Sequence, residues 1–229
     1  MPRLAPVVVD AYCILPYRAR ELRSMAPSRE DAWRNAKAVW AFKNGRRMAA
    51  KYGGRSLDEV IERMIFRFRS SPLADAAERT CWIPVPRSGA SQKSRDPDAD
   101  PYPCWTLANA LAALGGEASA PLERLYPVKS KHNVQAGIDS LKYSGPLPVL
   151  PEVVLIDDVC TTGSAAMSCA VVLRQRGYKG RFSAFCAGYA VAAEDASKAH
   201  PNRIGWRLTW QPGMGERPRR ELLGQWGEE

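Results

Sequence analysis

Residues 153–165, VVLIDDVCTTGSA, constrain this chain more than any other stretch. The β-branched run Val153 to Ile156 predicts a strand covered on both faces, as the strands of a parallel sheet are. Asp157 and Asp158 follow at its carboxyl end, the edge at which open α/β sheets hold ligands. Thr161, Thr162, Gly163 and Ser164 then offer hydroxyl and backbone N–H donors at the start of a helix predicted to run to Arg176, and anions favour such a terminus. Acids that accept hydrogen bonds from two adjacent sugar hydroxyls, followed by donors that enclose a phosphate, suit one ribose 5-phosphate.

Three other readings compete. An acid pair after a hydrophobic strand resembles a Walker B element, but no G-x-x-x-x-G-K-[ST] occurs in the chain to cradle phosphates. A phospho-acceptor receiver domain also places acids at strand ends, yet here the pair lies two thirds of the way along the chain and leads directly into Thr-Thr-Gly-Ser. Simple capping of a βα turn accounts for one or two of these polar residues and leaves the others unexplained.

The rest of the chain supplies the frame. Residues 31–52 have a helical composition with Trp33 and Trp40 on one face, and end at Gly53 and Gly54. Leu57, Val60, Ile61, Met64, Ile65 and Phe68 recur at helical spacing and predict an amphipathic helix on the core. Strands are expected at 80–85, 122–128, 152–158 and 182–190, and helices around 107–114 and 134–143. This alternation predicts an α/β fold, a mostly parallel central sheet flanked by helices. Residues 1–30 read as an N-terminal extension or a segment of a variable cap, the hood, 31–210 as the domain, and 211–229 as a mobile C-terminal tail.

Two basic loops are expected at the same sheet edge as the acids. In Ile83 to Arg95, Arg87 offers a guanidinium, Ser88 a hydroxyl and Gly89 close backbone approach; the same residues also make an ordinary turn. The loop YPVKSKHNVQAG supplies Lys129, Lys131 and His132 together, which by themselves also read as a solvated basic loop capping the following helix. With 33 Lys and Arg against 24 acids, a net charge of +9 and a pI near 9.4, an anionic partner is expected. Nucleic acid and phosphorylated small molecules both qualify. The six cysteines, at 13, 81, 104, 160, 169 and 186, show no metal-ligand spacing, so reduced and mostly buried thiols are expected. No stretch has the length of a membrane span and no secretory leader is evident, which predicts a cytoplasmic protein.

The thirteen residues of the strand and loop resemble the phosphoribosyl pyrophosphate signature of type I phosphoribosyltransferases, with Cys160 in place of the usual aliphatic residue. The order AFKNGRRMAA, IPVPRSG, LANALAALGG, Gln135 and Asp-Asp-Val-Cys-Thr-Thr-Gly is similar to the ComF-like branch over residues 39–190. The zinc-binding cysteines of that branch are absent, and Asp96 to Tyr102 replace its Arg-Gly-Phe-Asn-Gln stretch.

The resemblance implies the type I phosphoribosyltransferase fold with a variable hood and a homodimer. It implies phosphoribosyl pyrophosphate as co-substrate with Mg²⁺, and a nucleobase-like acceptor. Asp157 and Asp158 would then hold the ribose, residues 161–164 the 5-phosphate, and Arg87, Ser88 and Gly89 the pyrophosphate. Lys129, Lys131 and His132 would close over the centre. Enzymes of this family acting on 6-oxopurines usually carry an Asp where Thr161 stands, which argues against hypoxanthine or guanine as acceptor. The alternative is a non-enzymatic ComF-like protein that senses a phosphoribosyl ligand or nucleotide, or acts on DNA or RNA.

Overall fold

The computed structural model describes residues 5–17, 38–39, 41–43, 56–87, 102–128, 132–190 and 202–227. In chain order these form strand β1 (Val7–Tyr17), helix α1 (Leu57–Phe68), a 3₁₀ turn (Ala74–Arg79), β2 (Thr80–Pro84) and α2 (Pro103–Ala112). There follow β3 (Glu117–Ala118), β4 (Leu122–Arg124), α3 (Val134–Asp139) and β5 (Leu141–Tyr143). The last elements are β6 (Glu152–Cys160), α4 (Ser164–Gln175), β7 (Arg181–Ala190), β8 (Ile204–Trp210) and β9 (Arg219–Gln225).

Seven strands make one mixed sheet in the order β3-β2-β6-β7-β1-β8-β9. The first five run parallel to their neighbours, and β8 and β9 turn back as antiparallel partners. Strand β6 lies near the middle, with Val153, Val154, Leu155 and Ile156 all at 0% exposure, because helices cover both faces of the sheet. Val153 and Leu155 join the core beneath α4, with Ala170 and Leu173. Val154 and Ile156 join the opposite core, with Phe42, Leu107 and Leu111. The α/β class and the mostly parallel sheet are therefore as expected from the alternation of elements.

Helix α1 shows why the periodic reading worked. Ser56 accepts from the Glu59 N–H at 3.2 Å while the Glu59 carboxylate accepts from the Ser56 N–H at 2.9 Å, a capping box that starts the helix one residue before Leu57. Leu57, Val60, Ile61, Met64 and Phe68 are buried, and Phe68 meets both Trp82 and Phe185 edge-on.

Several expectations need correction. Residues 7–17, expected in an N-terminal extension or hood segment, form β1, which sits inside the sheet between β7 and β8. Part of the presumed tail forms β9, paired with β8 from Ile204↔Gln225 to Thr209↔Arg219. The helix expected over 134–143 stops at Asp139, since the Ser140 hydroxyl donates to the Gly137 carbonyl at 2.7 Å, and residues 141–143 pair antiparallel with 122–124. That ribbon shortens the strand expected at 122–128. Of the helix expected over 31–52, residues 38, 39 and 41–43 are helical and the remainder lies outside the described residues. All six cysteines are free and buried.

Candidate functional site

Strand β6 carries its register with β7 from Glu152↔Arg181 through Cys160↔Tyr189, so Asp157 and Asp158 stand at the carboxyl edge of the parallel strands. The Asp158 N–H donates to Asp157 Oδ1 at 2.9 Å. Burial, then the neighbouring Asp158, push the Asp157 carboxyl well above its ordinary range. Asp158 faces Lys43, whose Nζ is 3.9 Å from Oδ2, with the aspartate side chain 28% exposed. The Asp157 and Asp158 charges also help burial raise the Tyr102 phenol and the Cys104 thiol at the start of α2. The start of α2 thus lies beside the acids.

After Cys160 the chain turns through Thr161, Thr162 and Gly163 into α4. Gly163 is the residue before the helix and has φ +80°, a left-handed conformation in which an L side chain is strained. A Cβ there would also lie 2.4 Å from Leu208 Cδ1 of β8, so the loop presses directly onto the sheet. Thr161 is exposed, Thr162 is half-buried, and no acidic side chain occupies the first turn of α4. The loop therefore presents a hydroxyl and a helix N-terminus with no carboxylate in that turn to repel an anion.

Ser164 is used differently from the expectation. It is 2% exposed, its hydroxyl donates to the His132 carbonyl at 2.8 Å, and it shares a 2.9 Å hydrogen bond with the Thr162 hydroxyl. Thr162 Oγ1 lies 3.5 Å from His132 Nδ1. Ser164 thus ties residue 132 to the loop, and Thr162 carries the more accessible hydroxyl. His132 is brought next to Thr162. Asn133 caps α3 by accepting from the Ala136 N–H at 2.9 Å. Lys129 and Lys131 lie outside the described residues, as do Ser88 and Gly89.

Arg87 is described and exposed. Its guanidinium lies over the Tyr102 ring at 4.8 Å from the centroid, while the Tyr102 hydroxyl donates to the Val85 carbonyl. Arg124 of β4 supports the same turn, donating to the Pro86 carbonyl at 3.4 Å and to the Ser140 hydroxyl. A cation is thereby held beside the end of β2, next to β6.

Four of these neighbours escaped the sequence reading: Lys43, Tyr102, Arg124 and Arg220, whose Nη1 donates to the Thr161 carbonyl at 3.0 Å. Lys43 lay within AFKNGRRMAA, and Arg220 lies in the exposed β9. No local pattern distinguishes them, because each reaches the site from a distant element. Beneath the loop, hydrogen bonds from Cys13 and Cys186 pull the Cys160 thiol well below its ordinary range, and burial raises Cys13.

No protein-family model matches the chain, and comparison with curated proteins gives no match. No helix among the described residues is long and apolar enough to cross a membrane.

Proposed function

We propose that the protein is a phosphoribosyltransferase, which transfers ribose 5-phosphate from phosphoribosyl pyrophosphate to a nitrogenous base and releases pyrophosphate. The observation that carries this reading is the sequence of groups at the end of β6: two adjacent carboxylates, then an exposed hydroxyl-bearing turn with left-handed Gly163, then the start of α4. In this reading the sheet is that of the type I phosphoribosyltransferases, and the β8–β9 hairpin contributes to the hood.

The base nitrogen forms a bond to the anomeric carbon as the carbon–oxygen bond to pyrophosphate breaks, and the nitrogen proton leaves to solvent or a nearby base. Asp157 and Asp158 accept hydrogen bonds from the ribose hydroxyls and favour the positive charge that develops on the sugar. Thr161, Thr162 and the N–H groups opening α4 hold the 5-phosphate, and Arg87 pairs with pyrophosphate. His132, with Lys129 and Lys131 on the same stretch of chain, adds donors over the centre.

Two neighbouring carboxylates suit Mg²⁺ carried in with the substrate, since this ion takes one or two carboxylates together with phosphate oxygens and water. Among the described residues no group of three or more His, Cys, Asp or Glu is placed to hold a metal. When bound, Mg²⁺ would neutralise charge on the departing pyrophosphate.

Calorimetric titration of phosphoribosyl pyrophosphate with and without Mg²⁺, followed by a pyrophosphate-release screen over nucleobases, tests the proposal. Metal-dependent binding with release on one base is expected. Absence of binding overturns it. In that case the second reading gains weight: a non-enzymatic protein that acts with nucleic acid, favoured by exposed Arg217, Arg219 and Arg220 along the hairpin. Its mark would be binding that weakens steeply with salt.

A further inference from the structure

The hydroxyl-rich loop is walled on one side by the last strand of the sheet. Arg220 of β9 sends Nη1 to the Thr161 carbonyl at 3.0 Å, and its guanidinium carbon sits 4.3 Å from the centroid of the Trp206 ring on β8. We propose that Arg220 is a phosphate-recognition residue of this site, giving charged hydrogen bonds to the phosphomonoester of a ribose 5-phosphate ligand. The inference rests on the reading of residues 161–164 as the phosphate loop and adds a residue from a separate part of the chain.

Three features support it. The guanidinium is anchored in advance by a carbonyl and an indole face, so little side-chain freedom remains to be lost when an anion binds. The Thr161 bond occupies one of five guanidinium N–H donors and the stacked face occupies none, which leaves the group chemically able to bind a planar pair of phosphate oxygens. The carbonyl it grips opens the same turn whose far end is the N-terminus of α4, so cation and helix terminus act on one short stretch.

The hairpin that presents Arg220 is itself tied down. Glu216 in the β8–β9 connection accepts from the Val134 N–H at 2.7 Å, two residues beyond His132, and Gly215 accepts from the Trp210 indole N–H at 2.9 Å. Trp206 is further held edge-on by Tyr189, with centroids 5.0 Å apart. A loop staple alone would account for the Thr161 contact, and the experiment separates the two roles.

Ribose 5-phosphate and inorganic pyrophosphate are titrated into the wild-type protein, Arg220→Met and Arg220→Lys, with thermal midpoints recorded for each. Arg220→Met is expected to weaken ribose 5-phosphate about 10- to 100-fold while pyrophosphate, read at Arg87, changes less than about twofold. Arg220→Lys should recover part of the loss. Equal weakening of both probes, or unchanged ribose 5-phosphate affinity in a folded Arg220→Met, overturns the role of Arg220 and leaves the phosphate loop standing. Failure of the wild-type protein to bind ribose 5-phosphate overturns the loop reading and this inference with it.

Discussion

The Ser164 hydroxyl donates to the His132 carbonyl across 2.8 Å, joining the first residue of α4 to a segment 32 positions earlier in the chain. Ser164 is almost fully buried, so the bond is shielded from water and competes with no solvent donor. Placement of His132 beside Thr162 therefore depends on a residue whose own hydroxyl is spent on structure.

Ser164→Ala should destabilise the fold by about 1–2 kcal/mol, because a buried hydrogen bond is lost while the carbonyl keeps its need for a donor. Denaturant unfolding measures this, and an unchanged midpoint would remove Ser164 from the architecture of the loop. Ser164→Thr keeps the donor and is expected to lose less.

Gly163→Ala meets two obstacles, the left-handed backbone and a contact of 2.4 Å with Leu208 Cδ1. The first costs about 1–2 kcal/mol, and the second adds overpacking of about 1–3 kcal/mol. Leu208→Ala alone opens a cavity, costing about 2–5 kcal/mol. The double variant should be more stable than the sum of the two predicts, since the truncated leucine makes room for the new methyl group. Additive losses in a double-mutant cycle would show that backbone strain, rather than Leu208, makes glycine necessary.

Asp157→Asn is expected to stabilise the free protein at neutral pH. The native carboxyl holds its proton above the ordinary value of 3.8, so wild-type stability is full below that pH and is lost as pH rises through the raised native value. The amide has no such titration and can still accept from the Asp158 N–H. The difference between variant and wild type should shrink to nothing on acidification to about pH 4, as followed by unfolding at a series of pH values. A pH-independent difference would contradict the raised carboxyl.

Replacing both acids, Asp157→Asn with Asp158→Asn, should abolish binding of phosphoribosyl pyrophosphate while the chain stays folded. Circular dichroism alongside calorimetry checks both halves. Retained affinity in the folded double variant would remove the acids from the site.

Lys43→Met takes away the cation 3.9 Å from Asp158. Because the pair is substantially exposed, the stability change should stay within about 0–1 kcal/mol. The expected effect is on ligand binding, read as a change in the Mg²⁺ concentration needed for half-maximal affinity. An identical Mg²⁺ requirement would make Lys43 a bystander.

Local pattern determined a good deal of this protein. The run Val153 to Ile156 could be read as a strand covered on both faces because its short, β-branched apolar run leaves no polar side chain for a solvated face. Helix α1 was legible because the spacing from Leu57 to Phe68 puts its apolar side chains on one face, whereas the capping box of Ser56 and Glu59 emerged from the structure. The loop before α4 was legible as a run of hydroxyls around Gly163, and its left-handed backbone at Gly163 emerged from the structure.

Tertiary structure decided the rest. Val7, Val9, Ala11 and Cys13 look like a stray apolar run until β7 and β8 pair on either side of them. Residues 219–225 are exposed and carry charges, so nothing in their hydropathy marks them as a strand; their partner β8 does. Leu141 to Tyr143 continue a helical composition, yet pairing with Leu122 to Arg124 satisfies their backbone groups instead. Likewise Ser164 read as a phosphate donor and its hydroxyl became a tie to His132, while Arg220, on a strand with no hydropathy signal, came to rest against Thr161. Sequence spacing reports on neighbours along one helix or strand, whereas these contacts join positions 32 and 59 residues apart, and only the packed sheet brings them within hydrogen-bond reach.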